Sequence, residues 1–255
     1  MIIGVPKEIK DNEYRVGMVP YGVKALTGKG HTVLIEEDAG LGSAIANAEF
    51  KDAGAELLNS AEELYSRAEL IVKVKEPIEC EYKYFREDLS IFTFLHLAAK
   101  KELAEALISS GITAIAYETV TDKSNVLPIL KPMSEVAGKL STQVGAHYLL
   151  KQNKGRGVLL GGVPGVAHGH VCVLGAGTVG LNAIQIAIGL GAEVTVLDID
   201  TEKFRHLDEL YGTKVNTLHS NPMSIEETVK EADLVIGAVH IPGARTTTLV
   251  TEELV

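Results

Sequence analysis

Over the first half of the chain, short apolar and β-branched runs recur: MIIGV, HTVLIEE, ELIVKVK, LSIFTFLH and GITAIAYE. Between them lie stretches with apolar residues at helical spacing. The plainest is KELAEALISS, Lys101 to Ser110, which stops at Gly111, where a glycine suits a left-handed C-cap. Ser60 with Glu63 and Ser224 with Glu227 both match the Ser-x-x-Glu capping box, so a helix is expected to start at each. Strand-like runs alternating with helical ones predict βαβ units and a mostly parallel sheet.

The rhythm changes after the fifth run. TDKSNVLPILKP carries Pro128 and Pro132, which suit neither a central strand nor a helix interior, and a long helical pattern follows from about Ser134 to Gln152. A domain boundary is therefore expected here, dividing the chain into residues 1–127 and 128–255. A second α/β series then runs through HVCVLGAG, EVTVLDID, KVNTLH and DLVIGAV. The predicted fold class is α/β, with two doubly wound, Rossmann-like parallel-sheet domains.

Composition narrows the class of function. The 255 residues are 46% hydrophobic and 23% charged, values of an ordinary globular chain. The net charge of -10, with no cluster of Lys and Arg, argues against a nucleic-acid surface and gives no reason to expect an anionic membrane. Cys80 and Cys172 are far apart, and Cys172 sits in an apolar run as a small core hydrophobe, which fits a reducing cytosol. The N-terminal apolar stretch is too short for a signal peptide, and the longest later one, 181–197, is broken by Asn182, Gln185 and Glu193. A cytoplasmic location is expected.

The chemistry of the second half centres on VCVLGAGTVGLNAIQIAIGLGAEVTVLDID. Gly175, Gly177 and Gly180 form a GxGxxG spacing between an apolar strand and a helical pattern. A second strand ends in Asp198, about 20 residues further on. Gly175 permits the tight turn, Gly177 lets the backbone approach a pyrophosphate, and Gly180 lets helix and strand pack closely. The helix N-terminus beyond supplies N–H groups for phosphate charge. Asp198 suits the ribose hydroxyls and repels a 2′-phosphate, which favours NAD over NADP; Lys203 and Arg205 soften that preference. The loop HIPGAR, after DLVIGAV, is expected near the nicotinamide. A glycine turn in a sheet with no dinucleotide, or one that binds FAD, are the other readings of the motif.

In the first half, three polar residues interrupt strand-like patterns at or beyond predicted carboxyl ends: Arg15 in KEIKDNEYRVG, Lys75 in ELIVKVKEP and His96 in LSIFTFLH. A parallel sheet brings such positions to one edge. Arg15 offers a two-pronged cation for a carboxylate, and Lys75 a compact cation for a carboxylate or carbonyl. His96 has an ordinary pKa near 6.5, suited to proton transfer. The set fits a small α-keto or α-amino acid. Each residue alone also has a plain reading: a solvated loop arginine, a strand-end lysine, a core histidine with one hydrogen bond.

GVPKEIKDNEYRVG, VKVKEP, FTFLHLAA, TAIAYETV, LLGGVPGV, VLGAGTVG and ADLVIGAV together resemble the bacterial alanine dehydrogenases, in the family that also holds the NAD-binding subunit of nicotinamide nucleotide transhydrogenase. The resemblance runs over the whole chain, and the histidine of FLHLAA favours the dehydrogenase branch. It implies reversible NAD-dependent oxidative deamination of L-alanine to pyruvate and ammonia. Arg15 and Lys75 are then implied to hold the substrate carboxylate and carbonyl, and His96 to serve in acid–base transfer. The implied cofactor positions are Ser134, the turn Gly175, Ala176, Gly177, Thr178, Val179 and Gly180, then Asp198, Lys203, Ser220, Val239 and Leu249. Ser134 reads equally as the N-cap of the long helix. A homohexamer is implied as well.

The chain departs from the resemblance in places. Family members are longer. The rest of the nucleotide-binding sheet, an aspartate in an Asp-Gln-Gly-Gly motif that the resemblance assigns to catalysis beside the histidine, and a C-terminal segment are expected to follow TTTLVTEELV, so the second domain is expected to be incomplete. His240 stands at a usually aliphatic position, Thr246 and Thr247 replace an Ala-Pro pair, and HGH at 168–170 is unusual before the turn. The HGH histidines read as a surface loop, with no metal site expected, and KEPIECEYKYFRED as a solvated connection. Two other functions stay open: an NAD-binding fragment without turnover, and a relative such as transhydrogenase or saccharopine dehydrogenase.

Overall fold

The computed structural model describes residues 1–239 and 248–255. The expectations on HIPGAR, His240, Thr246 and Thr247 lie outside the described residues. The chain divides into two compact units, Met1–Ile129 and Leu130–Val255.

The first unit follows the order β1 (Ile2–Val5), α1 (Pro20–Thr27), β2 (Thr32–Glu36), α2 (Asn47–Asp52), β3 (Glu56–Leu58), α3 (Ala61–Arg67), β4 (Leu70–Val72), β5 (Ser90–Thr93), α4 (Lys101–Ser110) and β6 (Thr113–Ala116). Its six strands are parallel, in the order β3-β2-β1-β4-β5-β6. Both faces of the sheet are covered. Val33 and Ile35 of β2 join Ile3, Val5, Val23 and Phe50 in one layer, while Leu34 joins Leu64, Ile71 and Ile91 in the other. This explains why the strands read as continuous apolar runs. Strand β3 is missing from the sequence reading because its three residues, ELL, carry no β-branched signal.

The second unit opens on α5 (Leu130–Tyr148) and continues β7 (His170–Leu174), α6 (Thr178–Gly189), β8 (Glu193–Asp198), α7 (Thr201–Tyr211), β9 (Asn216–His219), α8 (Pro222–Glu231) and β10 (Leu234–Gly237). Its parallel strands lie in the order β10-β7-β8-β9. Cys172 is buried among Leu174, Leu197 and Ile225, and burial pushes its thiol up to about 11. Helix α5 packs against α6 where Gly138 leaves no room for a side chain: a Cβ there would stand 2.2 Å from the Val179 carbonyl. Thr142 donates to the Ala183 carbonyl at 3.0 Å in the same contact.

The helix boundaries correct several expectations. Helix α5 starts at Leu130, so Ser134 lies inside it and is not its N-cap. Pro132 is tolerated because it falls in the first turn, where an N–H has no intrahelical partner. Ser60 caps α3 as the spacing predicts, accepting from the Glu63 amide at 3.3 Å. The expected cap at Ser224 is displaced: Asn221 caps α8, with Pro222 behind it, and accepts from Met223 and Ser224 at 3.0 Å each. Asparagine followed by proline is the stronger start signal, because proline's fixed φ suits the first helical position.

KEPIECEYKYFRED is not a solvated connection. Glu76 and Glu81 within it are 3% and 4% exposed, and 79–84 form a 3-10 helix. In HGH, His168 is exposed with Nδ1 2.5 Å from the Gly191 carbonyl, but His170 opens β7 and meets the Thr195 hydroxyl at 2.9 Å. Among the described residues, no group of three or more His, Cys, Asp or Glu is placed to hold a metal, and no helix is long and apolar enough to cross a membrane.

Candidate active site

Each sheet has a point where the strand order reverses, between β1 and β4 in the first unit and between β7 and β10 in the second. A crevice outside the carboxyl ends of the strands at such a point is where open α/β sheets bind ligands. The residues singled out from sequence fall around these two places.

At the first, Lys75 lies three residues past β4, and His96 lies three past β5. Arg15 lies further out, on the loop leading from β1 to α1. The guanidinium of Arg15 grips the Glu13 carboxylate at two points, Nε to Oε1 at 2.8 Å and NH2 to Oε2 at 2.7 Å, and the Arg15 amide donates to Oε1 as well. This grip holds the Glu13 carboxyl below the usual range, with Lys75 contributing. Arg15 and Lys75 therefore share one acidic neighbour. The backbone carbonyl of Lys75 accepts from the Thr93 hydroxyl at 2.9 Å, which ties it to the end of β5.

His96 is exposed, so it is not the buried core histidine of the plain reading. Its backbone is left-handed, at φ 49° and ψ 37°, a region that costs a non-glycine residue of order 1 kcal/mol. The Glu118 carboxylate holds this conformation by accepting the His96 amide at 2.7 Å and the Leu95 amide at 3.1 Å. The ring stacks on Phe94, with centroids 5.9 Å apart. Glu76, beside Lys75, faces the same region. Burial works against its charge, but Lys10, a backbone amide and His96 more than compensate, leaving its carboxyl below the usual range.

Beneath Lys75 lies a buried ionic cluster. Lys73, 1% exposed, reaches Glu81 at 2.7 Å and Glu8 at 3.6 Å, and Tyr65 donates to Glu81 at 3.0 Å. None of Glu8, Glu13, Glu76, Glu118 or Lys73 was singled out in the sequence. Their role depends on pairings across strands, and the only local signal is Glu13 standing two residues before Arg15.

At the second switch point the backbone does most of the shaping. Gly175 has φ +103°, and a Cβ on it would stand 2.8 Å from the Ala238 carbonyl. A Cβ on Gly180 would be 1.9 Å from the Gly175 carbonyl, so only glycine fits. A Cβ on Gly177 would meet nothing within 4 Å, and Gly177 starts α6 with no side-chain cap on the helix amides. Asp198, 7% exposed, ends β8 and accepts from the Ala176 amide at 2.7 Å, the Ile199 amide at 2.8 Å and Lys203 at 3.0 Å. Burial opposes its charge, yet the amides of Ala176 and Asp200 and the Lys203 ammonium hold its carboxyl below the usual range.

Ser220 is brought beside Asp198, its amide donating to the Asp198 carbonyl at 2.8 Å. Val239 closes over Gly175 from the end of β10. Thr178 and Val179 form the first turn of α6, and Ser134 lies one turn before the Gly138 contact with Val179. Leu249 stands apart from this group: its side chain packs into the apolar layer of Cys172, Leu174 and Leu197.

Fold and edge chemistry together define a protein of two parallel α/β units, one with a charged switch point and one with a glycine turn. Comparison with known proteins makes this specific. The model of the alanine dehydrogenase/PNT N-terminal domain matches residues 4–137, and that of the C-terminal domain matches residues 141–255. The chain belongs to this family. Alanine dehydrogenases of Staphylococcus haemolyticus and Bacillus subtilis are 54% and 53% identical over all 255 residues, which span 68% and 67% of those proteins. The chain is thus shorter than these relatives. A solved L-alanine dehydrogenase superposes with a TM-score of 0.91 at 52% identity, covering 100% of this chain and 70% of that one. A transhydrogenase from Sinorhizobium meliloti gives 0.81 at 25% identity, covering 100% and 74%.

Proposed function

We propose that the chain is an NAD-dependent amino-acid dehydrogenase that converts L-alanine reversibly to pyruvate and ammonia. The observation that carries this reading is the set Arg15, Lys75 and His96 around the β1/β4 switch point, in a chain 54% identical to an alanine dehydrogenase. Arg15 holds the substrate carboxylate, exchanging part of its grip on Glu13, and Lys75 donates to the carboxylate or the developing carbonyl. His96 gives and takes protons as water adds to the imine carbon and ammonia departs. Its exposed ring, held by the Glu118 clamp on its backbone, can exchange those protons with solvent.

The residues of the second unit fit a dinucleotide. The uncapped start of α6 and the open space over Gly177 suit a pyrophosphate, and the ionised Asp198 suits ribose hydroxyls. Residues 175–180 with Asp198, Lys203, Ser220 and Val239 line this site, with Ser134 supporting it, while Leu249, packed into the apolar layer of Cys172 and Leu197, stands outside it. When bound, NAD supplies the two-electron acceptor for the substrate α-hydrogen. The first unit, residues 1–129, then serves as the substrate domain and the second, residues 130–255, as the cofactor domain, two residues from the boundary expected at 127/128.

The test is alanine-dependent reduction of NAD by the purified chain, followed by NADH absorbance. Where the chain is active, His96→Ala abolishes most of the activity with NADH affinity nearly unchanged. A chain that binds NADH but never reduces NAD in the presence of alanine is a binding protein, and the enzymatic reading fails. Loss of NADH affinity in His96→Ala marks His96 as structural instead.

A further inference from the structure

The cluster beneath Lys75 has a member that the proposed chemistry leaves unused. Glu8 lies on the loop after β1, 8% exposed, while Lys75 lies on the loop after β4, so Glu8 spans the switch point. Its Oε1 accepts the Val74 amide at 2.6 Å and faces the Lys75 amide at 3.4 Å. Its Oε2 accepts no hydrogen bond among the described residues, and Lys73 lies 3.6 Å away. A carboxylate in this setting is a poor device for stability, since a buried ion pair seldom outperforms apolar packing. Two buried carboxylates around one lysine are less favourable still, because Lys73 is already paired with Glu81.

We propose that Glu8 is a positioning residue for the candidate substrate lysine: its buried carboxylate fastens the backbone of Val74 and Lys75 and so fixes where the Lys75 ammonium stands. The inference rests on the reading of Lys75 as a substrate-binding group. Strand β4 ends at Val72, and the hydrogen bonds that continue its pairing, including the Phe94 amide to the Val74 carbonyl at 3.3 Å, stop before the Lys75 amide. The Lys73 amide is held by the Phe92 carbonyl, and the Thr93 hydroxyl holds the Lys75 carbonyl, both from the β5 side. Glu8 supplies the tie from the β1 side. With both ties made, the Lys75 backbone is gripped across the crevice, which is what precise placement of a flexible four-carbon side chain needs. Lys73, paired with Glu81, whose carboxylate the Tyr65 hydroxyl also holds, stands on the far oxygen of Glu8 and keeps that carboxylate aimed at those amides.

Two variants separate reach from charge. Glu8→Gln keeps the length and a carbonyl acceptor but removes the charge; Glu8→Asp keeps the charge but withdraws the acceptor by one methylene. Pyruvate is titrated into the full chain, with NADH present, while the Lys75 backbone amide is followed by ¹⁵N NMR. Glu8→Gln is expected to bind pyruvate within about threefold of wild type with the Lys75 amide signal little moved. Glu8→Asp is expected to bind about tenfold more weakly, the scale of one lost hydrogen bond, with that signal displaced. The reverse order, Asp tight and Gln weak, overturns the inference and makes Glu8 a counter-ion of Lys73. Equal affinities in all three proteins overturn it as well. Wild-type protein that binds no pyruvate overturns the substrate reading itself, and the inference with it.

Discussion

The two switch points share one topology and solve opposite problems. Between β1 and β4 the chain gathers side-chain charge: Arg15, Lys75, His96, Glu13, Glu76 and a buried Lys73 cluster beneath. Between β7 and β10 it strips side chains away, leaving Gly175, Gly177 and Gly180 and, among the described residues, one buried carboxylate, Asp198. A small polar substrate offers few atoms and must be met by directed cations, whereas a pyrophosphate must be met by backbone amides at close range. Parallel-sheet geometry supplies the crevice in both units, and side-chain volume decides what enters it.

The largest expected effect comes from breaking the charged side. Lys73→Met leaves Glu8 and Glu81 buried without their cation, and denaturant unfolding should show a loss of about 3–5 kcal/mol. A smaller loss would mean that solvent reaches the cluster. The glycine side should break by crowding. Gly180→Ala places a methyl on the Gly175 carbonyl and should cost about 1–3 kcal/mol together with NADH affinity. Gly177→Ala meets no protein atom and should change stability by less than about 0.5 kcal/mol, while NADH affinity, measured by fluorescence titration, still falls. If both alanine variants keep that affinity, the turn is not where the cofactor phosphates lie.

The smallest effect sharpens the comparison by sign. Burial raises the Glu8 carboxyl above its ordinary value, with Lys73 and the Val74 and Lys75 amides only partly offsetting it, whereas the Asp198 carboxyl is lowered. As pH falls, folded Glu8 takes up its proton before the unfolded chain does, so it favours folding; Asp198 takes it up later and disfavours folding. Melting temperature against pH on the acid side should therefore fall more steeply in Glu8→Gln and less steeply in Asp198→Asn than in wild type. Parallel curves would mean that neither carboxyl is shifted.

What the sequence reveals follows the same division. The glycine turn was legible because its constraints are local: spacing, a preceding strand, a following helix and Asp198 form one contiguous signature. Central strands such as β1, β2, β7 and β8 were legible because burial on two faces leaves an apolar run, whereas the short β3 carries no such signal. The charged side was only half legible. Lys73 and Lys75 sit two apart in KVK, chemically identical, and only tertiary placement buries one beside Glu81 while leaving the other at the crevice. Glu118 is likewise unremarkable in AYET until β5 and β6 pair and bring it under His96. The starts of α5 and α8 differ from expectation for another reason: Pro132 falls within a first helical turn, where it breaks nothing, and Pro222 initiates its helix.

The left-handed backbone of His96 carries a warning for anyone optimising this chain. Glycine adopts that conformation without the steric penalty of an L side chain, so a redesign scored on thermal stability alone would favour glycine at position 96. It would deliver a hardier protein and erase the imidazole that follows β5. If His96 carries the proposed proton transfer, selection for robustness and selection for turnover pull in opposite directions at this single residue.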